Sequence, residues 1–279
     1  MKIAYGKKPK IRAKKSIPEK YHTANKISTI DVVVQKSIVP VIEEQPKIIN
    51  AIFTGCDNNY FKFAKGCLTS FCRFFDKDFK VFFYGQNLST ENKKALKKWQ
   101  KVMPIEIDLR NEIKVWPTYY RHLVFSEWTK KMSSVKDKYY VLAIDIDSLC
   151  LKDPGPIFEE ISKHDLSLYF TNRHGGRDIY QQCFGGYFGL VPNTKSVHFA
   201  TTFVKHDFVN QTDKVLFHDQ FYLWKTYKDL KDMLSCGHLE KVAKIDRRFA
   251  YDSTAIWIPN IPGRRHWKSI CVKNKIDYM

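Results

Sequence analysis

The most reactive arrangement in this sequence is a pair of aspartates. The apolar run Val141-Leu142-Ala143-Ile144 leads directly into Asp145-Ile146-Asp147. Residues i and i+2 of a strand point to the same side, so both carboxylates are expected together at a strand end. Two carboxylates that close repel one another unless a cation lies between them. Hard oxygen ligands suit Mg²⁺ or Mn²⁺, ions that also bridge phosphates. The competing reading is structural: a strand runs into a helix cap, with Asp153 and Pro154 making the next turn.

A second cluster lies late in the chain, at Gly263-Arg264-Arg265-His266. Arg264 and Arg265 have the fork geometry that clamps a diphosphate. His266 offers a neutral imidazole, which suits Mn²⁺ better than Mg²⁺, and is the third candidate metal ligand beside Asp145 and Asp147. An exposed basic turn is the alternative.

These groups need elements to position them. Residues 47–55 form a short apolar run ending in Thr54-Gly55, which reads as a buried strand. Phe61, Ala64, Leu68, Phe71 and Phe75 then recur at the three-and-four spacing of an amphipathic helix. Residues 79–85 give a second strand. Ser89 or Thr90 can cap a helix to about Lys101, and residues 104–109 a third strand. Tyr120, Val124, Trp128, Met132 and Val135 mark a third helix. The strongly apolar run 139–145 is then a fourth, central strand. This alternation predicts an α/β fold with a mostly parallel sheet and helices on both faces. Ligands of such sheets bind beyond the carboxyl ends of the strands, where the aspartate pair falls.

The second half is less regular. Residues 166–171 and 183–192 read as strands, and the latter carries glycines, among them Gly185 and Gly186, where another group can approach closely. Helices are expected from about Lys195 and after His218. The Pro/Gly-broken stretch 256–268 cannot be one regular element. The expected division is a basic N-terminal arm, 1–46, with a possible edge strand at 30–34, followed by one domain, 47–279. Its first half, 47–147, would bind a nucleotide and its second, 148–279, an acceptor.

Composition limits the classes. The 279 residues are 44% apolar, which suits a globular domain with a full core. No run of about 18 apolar residues is present, so no spanning helix is expected. The charged start has no apolar stretch behind it and does not read as a secretory signal. The seven cysteines form no C-x-x-C pair, and reduced thiols in a cytoplasmic setting are expected. The net charge is +18; residues 1–36 hold ten Lys/Arg against Glu19 and Asp31, so +10 remains in the rest of the chain. Such a field favours a polyanionic partner, either nucleic acid or an anionic membrane surface; solubility alone is the plainer reading.

The order of these motifs resembles that of GT-A-fold glycosyltransferases, in particular the glycogenin-like and lipopolysaccharide-galactosyltransferase-like group, over about residues 47–268. The aspartate strand is similar to their YLDSDxxV. Tyr120-Arg121 resembles their Tyr-x-Arg segment, residues 184–194 their FNSGVMLIN, and His218-Asp219-Gln220 their Asp-Gln-Asp. Gly263-x-x-His266 stands where they carry His-Gly-x-x-Lys. The chain departs from them at Gly185, where they have Asn, at Phe221 after Asp-Gln, and in the order of the late motif.

The resemblance implies a metal-dependent hexosyl- or pentosyltransferase using a nucleotide sugar, with UDP the expected nucleotide and Mn²⁺ or Mg²⁺ the cofactor. Thr54, Asp57 and Tyr60 would hold the base and ribose, Tyr60 by stacking; Asp57 serves equally as a helix cap. Arg121 would reach a phosphate or orient an aspartate, or else pair with Glu127. Asp145 is assigned to ribose and metal, and Asp147 to metal and diphosphate. Gly186, Arg264 and Arg265 complete the donor side. Asp219 and Gln220 are the catalytic candidates: Asp219 contacts the donor sugar, or acts as general base if configuration inverts, with an N-cap as its structural alternative. His174, Arg177 and Asp178 are placed on the acceptor side.

For the acceptor, the charge that extends through the core favours nucleic acid, for example a hydroxymethylated base of viral or phage DNA, over a glycan at an anionic membrane. Two other classes compete. A haloacid-dehalogenase-type phosphatase also has an apolar strand before Asp-x-Asp, but that family normally starts with this strand. A basic nucleic-acid binder without chemistry explains the charge but not the motif order.

Overall fold

The fold was analysed in a computed structural model. It describes residues 45–75, 78–114, 117–171, 183–209, 218–246, 254–259 and 262–279. These belong to one compact unit, Gln45–Met279. The expected basic arm with its strand at 30–34, and the expected acceptor-side loop with His174, Arg177 and Asp178, lie outside the described residues.

The first half alternates strand and helix as the sequence predicts. Strand β1 spans Ile48–Cys56, helix α1 Ala64–Cys72, β2 Phe79–Gln86, α2 Thr90–Trp99, β3 Ile105–Arg110, α3 Pro117–Met132 and β4 Lys138–Ile144. A 3₁₀ turn, Phe61–Phe63, precedes α1. Ser89 caps α2, its hydroxyl accepting from Asn92 N at 3.2 Å. Helix α3 ends at Met132, so Val135, expected on its apolar stripe, lies beyond it and is exposed.

The second half adds β5 (Leu149–Cys150), α4 (Gly155–Ser162), β6 (Leu166–Phe170), β7 (Cys183–Leu190), α5 (Thr194–Val209), α6 (His218–Leu230), β8 (Cys236–His238), α7 (Leu239–Val242), β9 (Ile245–Asp246), β10 (Ile256–Trp257) and α8 (Trp267–Lys273). The main sheet has the order β3-β2-β1-β4-β7-β6-β8, with β4 at its centre. Among these seven strands, β7 alone runs against its neighbours. The fold is therefore α/β with a mostly parallel sheet and a mixed second half.

The period of two along the strands sorts their side chains between two cores. Ile52, Val81, Phe83, Leu142 and Ile144 face α1, α2 and α4, meeting Leu68, Phe71, Leu96 and Phe158. Ala51, Phe53, Phe82, Val141 and Ala143 face α3, α5 and α6, meeting Val124, Phe125, Trp128, Phe199 and Leu223. Asp145 continues the parity of Val141 and Ala143, and so emerges on the α3 side. A small second sheet, β5-β10-β9, ties the chain after Asp147 to the C-terminal segment, with Leu149 opposite Trp257 and Cys150 opposite Ile256. Arg73, just past α1, donates to the carbonyls of Cys150 (2.9 Å) and Asn274 (2.7 Å), which fixes both partners of that junction.

Leu142 lies at the centre of the sheet with no exposed surface, while Val102 on a loop is 80% exposed. Leu142→Ala is expected to lower unfolding free energy by roughly 2–5 kcal/mol, and Val102→Ala by less than about 0.5 kcal/mol. Urea denaturation followed by circular dichroism measures both; similar losses would contradict the placement of β4.

Candidate functional site

The site forms beyond the carboxyl end of β4. The strand ends at Ile144, and Asp145 N still bonds Gly186 O at 3.1 Å, extending the β4–β7 ladder by one residue. A turn follows, closed by Ser148 N donating to Asp145 O at 3.0 Å. This corrects one expectation. Asp145 and Asp147 are not i and i+2 of a continuing strand, because the turn redirects the second carboxylate. Asp145 stays on the α3 side, and Asp147 turns toward the C-terminal segment.

Each aspartate meets an arginine. Arg121, one residue past the buried Tyr120 of α3, donates from Nη1 to Asp145 Oδ1 and places Nη2 3.8 Å from Asp219 Oδ2. The alternative partner Glu127 is instead held by Arg110 at 3.0 Å. Burial alone would lower the Arg121 guanidinium's pKa, but Asp145, Tyr84 and Asp219 outweigh it and hold the pKa above its ordinary value. Asp219 sits in the first turn of α6, its side chain mostly buried and paired with Arg121. Gln220 is buried next to it, against β7.

The two glycines of β7 create this convergence. A Cβ on Gly186 would stand 2.1 Å from Asp145 Oδ2, and one on Gly185 would stand 3.0 Å from Asp219 Oδ2. The sequence reading of a close approach at these glycines therefore has a specific content. Gly186 admits Asp145, and Gly185, the departure from the resembled motif, borders Asp219 and Gln220.

Asp147 is almost wholly buried, with 3% of its side chain exposed. Arg264 Nε donates to its Oδ2 at 2.6 Å, and Trp267 Nε1 donates to its backbone oxygen at 3.0 Å. Burial, reinforced by the nearby charge of Asp145 and opposed by Arg264, pushes its pKa up to about 6. Arg264 also reaches back to the first strand's loop: Nη1 donates to the Tyr60 hydroxyl at 3.2 Å, and the guanidinium lies 5.0 Å from the Tyr60 ring centroid. Tyr60 is thus part of the site.

Other candidates have different places. Asp57 Oδ1 accepts from Asn59 N (3.0 Å) and Tyr60 N (3.2 Å), closing a local turn ahead of the 3₁₀ helix and capping neither it nor α1. Thr54 is fully buried within β1 and its hydroxyl has no partner among the described residues, so in this arrangement it presents nothing to a ligand. Arg265 points outward and donates to His266 Nε2 at 3.2 Å rather than turning to the aspartates. No group of three His, Cys, Asp or Glu side chains among the described residues converges to hold a metal ion, so His266 does not join Asp145 and Asp147. Two carboxylates are hard oxygen donors and would suit a divalent cation that took its remaining ligands from outside the described residues. Asp145, Asp147 and Asp219 set three carboxylates against the guanidiniums of Arg121 and Arg264.

Sequence reasoning missed Trp267 and Arg73. Trp267 orients Asp147 through its backbone and packs against Gly66, and Arg73 holds the segment that follows. Both act on carbonyl groups, which leave no mark in residue type or spacing.

No protein-family model matches the chain, and no curated protein matches it in sequence. Solved structures do share its fold. The apo form of the glycosyltransferase GlyE of Streptococcus pneumoniae TIGR4 is 12% identical with a TM-score of 0.56, over 84% of this chain and 61% of that one. The galactosyltransferase LgtC, crystallised with donor and acceptor sugar analogues, is 12% identical with a TM-score of 0.53, over 81% of this chain and 97% of that one. The bifunctional glycosyltransferase WbbM is 12% identical with a TM-score of 0.53, over 78% and 46%. The chain spans between 46% and 61% of the GlyE structures. The fold is that of GT-A-type glycosyltransferases.

The raised pKa of Asp147 makes stability depend on pH. A carboxyl whose folded pKa is raised contributes stability below its unfolded value, near 4, and loses it as pH rises through about 6. The stability of Asp147→Asn minus that of the parent is therefore expected to increase between pH 4 and pH 7. Urea titrations across that range measure it; a flat difference would show an ordinary carboxylate.

Proposed function

We propose that the protein is a glycosyltransferase that moves a hexosyl or pentosyl group from a nucleotide sugar, with a UDP-sugar as donor. The observation that carries the reading is the convergence of Asp145 at the end of β4 with Asp219 at the start of α6 on Arg121, within a fold shared with known glycosyltransferases. Open α/β sheets bind ligands at this edge.

The roles follow from position. Tyr60 offers an aromatic face to the base, and Asp57, whose carboxylate accepts from Tyr60 N, holds that loop in place. Asp145, Asp147 and Arg264 border the place for the diphosphate. A divalent cation, Mn²⁺ or Mg²⁺, held by Asp145 and Asp147 would neutralise charge on the departing diphosphate. Arg121 holds Asp145 and Asp219 toward one another. Asp219 meets the reacting sugar, or takes the acceptor's proton if configuration inverts, and Gln220 flanks it.

The acceptor is proposed to be a polyanion, with modified DNA preferred to a glycan at an anionic membrane. Beside Arg264 lies an open cleft of about 860 Å³ lined by Lys62, Arg265 and Lys268 together with Phe63 and Trp267. The cations suit phosphates. A base within a duplex would have to leave the stack to reach the sugar. No helix among the described residues is long and apolar enough to cross a membrane.

The test is a screen of UDP-sugars with Mn²⁺ against hydroxymethylated DNA and simple glycans, read by mass. Sugar transfer is expected, and Asp219→Ala is expected to cut turnover by roughly a hundredfold or more with UDP affinity nearly unchanged. Hydrolysis of p-nitrophenyl phosphate without UDP binding would favour the phosphatase reading. DNA binding without either activity would leave a binding protein.

A further inference from the structure

Arg264 stands in two places that a bound donor needs. One end of its guanidinium holds Asp147, the buried carboxylate of the proposed cation site. The other end bonds the Tyr60 hydroxyl, and the group as a whole lies over the Tyr60 ring, the surface proposed for the base. A cation arriving alone must break an ion pair on a carboxylate with 3% exposure. A nucleotide arriving alone must displace the guanidinium from the aromatic face. Neither displacement is compensated unless Arg264 finds another anion.

The backbone around Arg264 favours a moving side chain on a fixed base. Gly263 is buried, and Trp267, three residues after Arg264, is anchored by its bond to Asp147 O and its contact with Gly66. The Arg264 side chain itself is 31% exposed, along the open cleft. Burial lowers its pKa, but the charge of Asp147 outweighs this where the two are paired, and a guanidinium stays protonated away from that partner as well. A guanidinium binds a diphosphate as readily as a carboxylate and in the same two-pronged way.

We propose that Arg264 is a positioning residue that couples the cation to the nucleotide. Without donor it satisfies Asp147 and covers Tyr60. When cation and nucleoside diphosphate arrive together, it exchanges Asp147 for a diphosphate oxygen, freeing the carboxylate for the cation and the ring for the base. The coupling rests on the nucleotide-sugar reading above. By reciprocity, each ligand favours the other by the same factor, on a scale of roughly 5–150-fold.

The experiment is calorimetric titration of the full chain with Mn²⁺ alone, with UDP alone, and with each in the presence of the other, for the parent and Arg264→Met. The variant is expected to bind Mn²⁺ alone about tenfold more tightly, to bind UDP in Mn²⁺ about tenfold more weakly, and to show a reduced coupling factor. A purely structural role for Arg264 would weaken both ligands together. Unchanged or weaker binding of Mn²⁺ alone would overturn the proposal, while Mn²⁺ binding by the parent in UDP would leave the donor reading standing. If the parent binds no Mn²⁺ even with UDP, the donor–cation reading and this coupling fall together. Should Arg264→Met not fold, Arg264→Lys carries the same comparison in smaller measure, because an ammonium cannot hold Asp147 and Tyr60 at once.

Discussion

The site depends on one buried cation. Arg121 faces Asp145 and Asp219, which come from segments 74 residues apart in the sequence. Two carboxylates brought together in a poorly solvated place would each favour protonation or separation. A guanidinium between them offsets that repulsion, donating a hydrogen bond to Asp145 and pairing with Asp219 at 3.8 Å. Removing it would leave Asp219, with only 16% of its side chain exposed, without this counter-charge, which is costly. The turn after β4, the first turn of α6 and the middle of α3 are therefore held in one arrangement by a single side chain.

The rest of the architecture makes room for that contact. β7 runs antiparallel beside β4 and brings two glycines to the level of Asp145 and Asp219, where side chains would collide with the carboxylates. The short β5–β10 pairing brings the C-terminal segment back to the same edge, where Trp267 holds the Asp147 carbonyl and Arg264 its carboxylate. Each aspartate thus has its own arginine, one from the first half of the chain and one from the last. Three carboxylates face two guanidiniums, which leaves one negative charge in excess at this edge.

Much of this was legible in the sequence because the relevant patterns are periodic. The alternation along β4 and the three-and-four spacing along α3 specify which faces meet, and together they imply that Asp145 emerges toward Arg121. The glycines at 185 and 186 announce a close approach. Other parts left no periodic trace. The turn that separates Asp147 from Asp145 is a backbone event, set by Ser148 N bonding Asp145 O. The pairing of Arg264 with Asp147 spans 117 residues and depends on strands of two residues, too short to carry a pattern. Asp57 shows the opposite failure: its residue type suits a ligand contact, yet its carboxylate is engaged by its own loop.

The central claim is that Arg121 and Asp145 act as one unit in organising the sheet edge. A double-mutant cycle with Arg121→Met, Asp145→Asn and the double variant, read as unfolding free energy in urea at constant pH, tests it most directly. The account predicts strong non-additivity, with a coupling of roughly 1–3 kcal/mol and a double variant little worse than the poorer single one. Losses that add within about 0.5 kcal/mol would show that the two side chains are merely neighbours, and would remove the constraint on which this reading of the site rests.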